Sequence, residues 1–236
     1  FGDIDNDGDV DLYVTNYVDF GVNNNKYCNY SGAVRVYCHP NVYNGLPDIL
    51  FRNNGNGTFT DVSRQAGIYR SDGKGLGVVF GDYDNDGWTD IYVANDSVPN
   101  YLFHNKGGGL FDEVGLLARV AVGSDGQPLA GMGTDMGDFD GDGLLDIFVT
   151  NLDRQTHSLY RNLGKGLFAD VTFESGVAEA TLPFERATES ELVCTANGAS
   201  IAWAQKSEGG ATVGRIDCTA DGCKSSEAKL AGIDST

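Results

Sequence analysis

Long apolar runs are missing from this sequence: none reaches the ~18 residues that a membrane-spanning helix needs. Basic residues are scarce, 16 Lys and Arg against 34 Asp and Glu, for a formal charge of −18. A field of that sign repels nucleic acid and anionic membranes, so neither is expected as a partner. It suits cations. Familiar catalytic signatures are lacking too, with no Gly-x-Ser-x-Gly elbow and no His-Glu-x-x-His. The Gly-rich turns beside Lys106 and Lys165 lie between strand-like runs, without the strand-to-helix context a phosphate loop requires.

What is present in quantity is repetition. FGDIDNDGDVDLYVTN from Phe1, FGDYDNDGWTDIYVAN from Phe80 and MGDFDGDGLLDIFVTN from Met136 align without gaps. A second element follows each, starting near Asp48, Asn100 and Ser158, in which Phe51, Phe103 and Tyr160 mark the same place. The intervals of 52 and 57 residues, with an insert over roughly Tyr17 to Gly45 in the first unit, fit one supersecondary unit per repeat. Asp90–Asn95, Tyr101–His104 and Leu110–Val114 read as short β-branched or aromatic strands, and Gly75–Phe80 as a fourth. Asn54-Gly55-Asn56-Gly57 and Lys106-Gly-Gly-Gly109 supply hairpin turns. No part of the repeats shows a capped helical period. The expectation is all-β: four-stranded propeller blades over residues 1–178.

Each repeat carries an acidic loop. Asp3, Asp5, Asp7 and Asp11, Asp82, Asp84, Asp86 and Asp90, and Asp138, Asp140, Asp142 and Asp146 form D-x-D-x-D-G-x-x-D three times. Carboxylates at alternate positions of a tight loop converge, and the Gly lets the chain turn past them. A hard cation with 6–8 oxygen ligands suits that arrangement, Ca²⁺ better than the reluctantly dehydrated Mg²⁺. The backbone carbonyls of Asp9, Trp88 and Leu144 are expected as further ligands. The last acid stands at the ninth position and precedes a strand, so these are not EF-hand loops. Asp, Asn and Gly are also ordinary turn formers, but three in-register copies speak for the ion. Three such ions would bring −18 to −12. The sites are expected to be structural, since catalysis needs an open coordination position and a nearby base.

The motif resembles the FG-GAP or VCBS-type repeat of integrin α-subunit propellers. Gly73–Phe80, Tyr92–Ser97 and Ala130–Gly133, with Asn16–Asp19, Tyr37–Pro40 and Gly45–Asp48 of the insert, further resemble bacterial secreted proteins related to cartilage acidic protein, which often carry an ASPIC/UnbV segment. That resemblance implies a seven-bladed calcium propeller used outside the cytoplasm: secreted, periplasmic or at the cell surface. It does not imply a defined reaction. The chain opens inside a repeat, so further sequence is expected before Phe1.

Cys28 and Cys38 of the insert are expected to form a disulfide. A zinc site using His39 would be one ligand short. His104 holds the place of Arg52 and Arg161 and reads as a strand-face residue, and His157 as a turn residue without a repeat partner. Asn29, Asn56 and Asn95 open glycosylation sequons, Asn95 at a strand end where it makes a poor acceptor. Residues 179–236 depart from the repeat, with strands expected at Glu191–Cys194, Ser200–Ala204 and Thr212–Ile216 and a turn at 220–222. They fit a further blade, a small β-module or a joined segment, and the pairing of Cys194, Cys218 and Cys223 stays open. Three functions follow. A binding or scaffold module would meet a protein, a matrix polymer or glycan, or other subunits of an assembly through its loops. A lectin would stack sugars on Tyr27, Tyr30, Tyr37 or Trp88. A polysaccharide hydrolase or lyase is the weakest, as no catalytic acid pair stands apart from the metal loops.

Overall fold

The structure is a computed structural model that describes the backbone of residues 1–30, 34–152 and 155–181 and of four strands between 189 and 230; side chains are described as far as residue 181, Tyr30 excepted. The first repeat supplies β1 (Leu12–Val14), then an insert hairpin of β2 (Cys28–Tyr30) and β3 (Val34–Val36), then β4 (Ile49–Asn53), β5 (Phe59–Asp61) and a helical turn α1 (Ser63–Ala66). The second supplies β6 (Gly75–Gly81), β7 (Asp90–Asn95), β8 (Tyr101–Asn105), β9 (Phe111–Glu113) and α2 (Gly115–Ala118). The third repeats this with β10 (Gly131–Gly137), β11 (Asp146–Asn151), β12 (Ser158–Asn162), β13 (Phe168–Asp170) and α3 (Val177–Thr181). Last come β14 (Glu189–Thr195), β15 (Gly198–Ser207), β16 (Gly210–Thr219) and β17 (Gly222–Leu230).

Every neighbouring strand pair is antiparallel, in meanders β1-β4-β5, β6-β7-β8-β9, β10-β11-β12-β13 and β14-β15-β16-β17. Register is the same in the three repeats: Leu12 faces Phe51, Ile91 faces Phe103 and Ile147 faces Tyr160. The Gly2–Asp11 bridge takes the place that Gly81–Asp90 and Gly137–Asp146 hold in the longer sheets. This set of four-stranded sheets fits a β-propeller-like fold.

The sequence explains the stacking of one sheet on the next. All six residues of β7 are buried, because both faces are covered. Ile91 and Val93 join Ile4, Tyr13, Leu50, Phe103 and Phe111 in one apolar cluster. Tyr92 and Ala94 turn the other way, into a second cluster with Ile147, Val149, Tyr160 and Phe168. Alternation at period two thus feeds two interfaces from one strand. Truncating a centre such as Phe103 to Ala should cost ~3–5 kcal/mol. Between the innermost strands, a Cβ on Gly77 would lie 2.8 Å from the Gly133 Cα, so glycine permits the close approach of β6 and β10.

Two expectations need correction. Each repeat does contain helix, one turn of four or five residues after its last strand. In the first two repeats an acid starts it, Asp61 and Glu113 accepting the N–H of Ser63 and Gly115; in the third, Asp170 makes the equivalent bond to Thr172, but α3 begins only at Val177. A single turn is too short for an apolar period to register. The C-terminal strands are longer than expected, and a fourth strand, β17, joins them. β14 lies against β10, as β10 lies against β6. Cys218 stands opposite Cys223 in the register of β16 and β17, but the side chains of Cys194, Cys218 and Cys223 lie outside the described residues, as do residues 220–221 of the expected turn.

The insert closes on itself where expected. Val18 bridges Gly45, and the Leu46 N–H reaches the Tyr17 carbonyl at 3.3 Å. Cys28 and Cys38 are joined in a disulfide. The insert is seated on the second sheet by two polar ties, Tyr17 Oη to Asp96 and Lys74 Nζ to Asn41 Oδ1 at 2.7 Å, with Lys74 and Asp96 buried.

Candidate metal centres

Three loops of the same sequence fold into three copies of the same hydrogen-bonded frame. The first acid accepts the N–H of the glycine at position six, Gly8 to Asp3 at 2.9 Å, Gly87 to Asp82 at 2.9 Å and Gly143 to Asp138 at 2.8 Å. The fifth-position acid accepts the N–H of position seven, Asp9 to Asp7, Trp88 to Asp86 and Leu144 to Asp142, each at 2.9 Å. Position six has φ of 93°, 89° and 88°, which only glycine adopts without strain, and position four also turns left-handed at Asn6, Asn85 and Gly141.

The ninth-position acid is the anchor. Asp11, Asp90 and Asp146 are buried, and each receives two amides. One comes from its own loop: Ile4 at 2.9 Å, Tyr83 at 3.1 Å, Phe139 at 3.0 Å. The other comes from across the sheet: Asn53 at 2.7 Å, Asn105 at 2.8 Å, Asn162 at 2.7 Å. Carboxylate oxygens of Asp3, Asp5 and Asp11, of Asp82, Asp84 and Asp86, and of Asp138, Asp140 and Asp146 come within 4.8 Å of one another. Asp7, Asp86 and Asp142 sit at the exposed lip of their loops.

The electrostatics follow from that crowding. Burial first, then the neighbouring acids, raises the carboxyl pKa of Asp5, Asp84 and Asp140. Burial pushes Asp90 and Asp146 up to about 7 despite the two amides on each. Asp3 Oδ1, Asp5 Oδ1 and Asp84 Oδ1 are buried and accept no hydrogen bond. Buried oxygens without a donor are costly unless a cation meets them. The donor set, all oxygen and convergent, fits a hard divalent ion.

Two partners of the loops escaped the sequence reading. The first is the asparagine ending the second strand element. Besides its amide, Asn105 donates Nδ2 to the Ile4 carbonyl of the preceding repeat's loop at 2.8 Å, and Asn162 does so to the Tyr83 carbonyl at 2.7 Å. Its recurrence in F-R-N, F-H-N and Y-R-N was the available signal. The second is the residue just before it. Arg161 Nε lies 3.9 Å from Asp140 Oδ2, Arg52 opposes the rise of the Asp5 carboxyl, and His104 Nδ1 lies 3.4 Å from both Asp84 and Asp90. His104 is therefore beside the acids, not simply on a strand face.

The loops also reach sideways. Ile4 enters the cluster of Phe103 and Phe111, and the Tyr83 ring packs 5.7 Å from Phe168 of the next repeat. His157 does have repeat partners: its Nδ1 accepts the Asn151 N–H as Asn100 Oδ1 accepts that of Asn95 and Asp48 Oδ1 that of Asn16. Asn95 is buried and its Nδ2 is bonded to Pro99, which removes it as a glycan acceptor, while Asn29 and Asn56 are exposed. Of the aromatics considered for stacking, Tyr27 and Tyr37 are exposed in the insert, whereas Trp88 is half-buried with its ring against Gly107.

Comparison with known proteins agrees with this geometry. Residues 3–93 and 82–149, together more than half of the chain, match the FG-GAP-like repeat. Three curated relatives share the name cartilage acidic protein 1. The Homo sapiens protein is 35% identical over 114 residues, covering 47% of this chain and 16% of the relative. For Mus musculus the values are 33% over 114 residues, 47% and 17%, and for Xenopus tropicalis 31% over 115 residues, 48% and 17%. The matched stretch spans about half of this chain and about a sixth of those relatives.

Proposed function

The chain belongs to the FG-GAP-like repeat family, and from that footing we propose that it is a calcium-binding extracellular β-propeller module, a binding or structural scaffold without a reaction of its own. The observation that carries this reading is the threefold frame of buried Asp carboxylates, several of whose oxygens lack any donor. In each loop the acids at positions one, three, five and nine would hold Ca²⁺, with the carbonyl of Asp9, Trp88 or Leu144 and water completing the shell. The ion would supply charge neutralisation. The protein supplies the amides that fix the carboxylates at positions one, five and nine before the ion arrives. A ring of seven blades, completed by further chain or by another subunit, is the architecture this reading carries.

Metal analysis of protein loaded with calcium alone should find three calcium ions per chain. Asp86→Ala should leave two. Protein that stays metal-free at millimolar calcium would end this reading.

The contact surface in this proposal is the insert. Beside its disulfide lies an open cavity of about 630 Å³ lined by Cys38, Tyr17, Phe20, Lys26, Arg35 and Tyr43 among others. Lys26 over the Tyr43 ring and Arg35 over the Tyr27 ring make a local basic patch on an otherwise acidic chain, a place for a protein or matrix polymer to dock. The fully exposed Tyr37 also favours a second reading, glycan binding by ring stacking. A glycan array probed with the intact chain separates the two: binding above background that Tyr37→Ala abolishes supports the lectin, and a blank array leaves the protein-binding scaffold.

A further inference from the structure

The three loops share their acids but not the side chain that faces them. Arg52 and Arg161 stand beside the first and third, and His104, at the equivalent place on β8, stands beside the second. The difference is chemical. A guanidinium stays protonated in a protein and has no lone pair to give a metal, whereas a neutral imidazole has one.

The geometry around His104 is that of a ligand set. Its Nδ1 lies 3.4 Å from Asp84 Oδ2 and 3.4 Å from Asp90 Oδ1. Nδ1 is buried and makes no hydrogen bond, and Asp84 Oδ1 is in the same condition. The Asp90 side chain is 0% exposed, and the Asp84 and His104 side chains 20% and 27%. All three offer donor atoms within 4.8 Å of one another. For a tetrahedral ion with bonds of ~2.1 Å, neighbouring donors stand ~3.4 Å apart. The parts are held firmly: Asp90 by the Tyr83 and Asn105 amides, and the His104 ring edge-on to Tyr83 at 6.1 Å.

We propose that the second loop is a site for a borderline first-row transition ion of the Zn²⁺ class, ligated by His104 Nδ1, Asp84 and Asp90, while the first and third loops remain hard-cation sites. Imidazole nitrogen suits Zn²⁺, Co²⁺ and Ni²⁺, whereas Ca²⁺ takes oxygen. Asp82 and Asp86, gathered with Asp84, are at hand for the remaining positions. The inference rests on the reading of the loops as cation sites and divides them into two kinds. The simpler role for His104 is that of an imidazolium counter-charge in place of arginine, and the test is built around it.

Calcium-loaded full-length chain would be titrated with Zn²⁺, alongside His104→Arg, which installs the residue of the sister repeats. The wild type should bind one Zn²⁺ per chain at least tenfold more tightly than the variant, displacing one calcium and leaving two. In ¹⁵N-labelled wild type, the His104 Nδ1 resonance should move on Zn²⁺ addition, a readout independent of how the variant folds. Equal Zn²⁺ affinity in both proteins with an unmoved Nδ1 would overturn the inference and leave the calcium sites standing. Failure of both proteins to take up calcium or zinc would overturn the loop reading as well.

Discussion

The acidic loops and the insert reach order by opposite means. Each loop is a nine-residue segment whose carboxylates at positions one, five and nine are pinned by backbone amides, and the same bonds recur three times. The insert, residues 17–45, has one disulfide, a three-residue hairpin, exposed bonds such as Asp19 to Asn44, and two half-buried polar ties to the second sheet. Redundancy protects the first region against loss of any one bond, but on the proposed reading every copy depends on a bound cation. Few cross-links hold the second, and none of them needs an ion. The two regions should therefore fail under different reagents.

Chelation is the hardest blow and should fall on the repeats alone. At calcium 100-fold above the dissociation constant each site stabilises by about 2.7 kcal/mol, so three contribute about 8 kcal/mol. The melting temperature in chelator should drop by many degrees while the Cys28–Cys38 insert keeps its cross-link. Its pH dependence carries a sign. Without the ion, Asp90 and Asp146 have folded pKa values of about 7, above the 3.8 of the unfolded chain. Their protonation then favours the fold fully below pH ~4, and that contribution is lost as pH rises through 7. The gap between calcium-loaded and chelated melting temperatures should widen from pH 5 to pH 8. A constant gap would contradict the burial described.

Asp90→Ala comes next. It orphans the buried amides of Tyr83 and Asn105 and should cost about 2–6 kcal/mol by denaturant unfolding, even in chelator. Asp86→Ala, at the exposed lip, should cost nothing in chelator. His157 distinguishes the third repeat from its sisters. Burial holds its pKa down at about 4, below the 6.5 of the unfolded chain, so its neutral form stabilises above pH 6.5. That contribution, on the order of 3 kcal/mol, should be lost as pH falls from 6.5 to 4. His157→Asn, the residue of the second repeat, should remove the dependence. Reduction of Cys28–Cys38, about 2–3 kcal/mol confined to the insert, should be seen as faster amide exchange there and an unchanged melting of the repeats.

Much of this was legible because repetition multiplies weak signals. One D-x-D-x-D-G segment is a turn, but three in register marked the strands and the boundaries of the acidic loops, whereas the close approach that Gly77 and Gly133 allow was seen only in the structure. What stayed hidden depends on what lies across a sheet. The nearness of His104 to Asp84 and Asp90 is set by the pairing of β7 with β8, which brings a residue 14 positions beyond Asp90 beside it. The Asn105 tie to Ile4 spans 101 residues and crosses between sheets, which no local pattern encodes. The helical turns were invisible for want of length. His157 looked isolated because its equivalents, Asp48 and Asn100, share with it only an acceptor atom.

The residue that follows the first acid gives the first two acidic loops a reach beyond their own sheet. Ile4 and Tyr83 are set among the aromatics of the succeeding repeat, and the asparagines there grip their carbonyls. On the proposed calcium reading, an ion in the first or second loop would act as a latch between neighbours, and emptying it would loosen a seam rather than a blade. Calcium depletion should open the molecule seam by seam, with a cooperativity that grows with the number of sheets stacked in line.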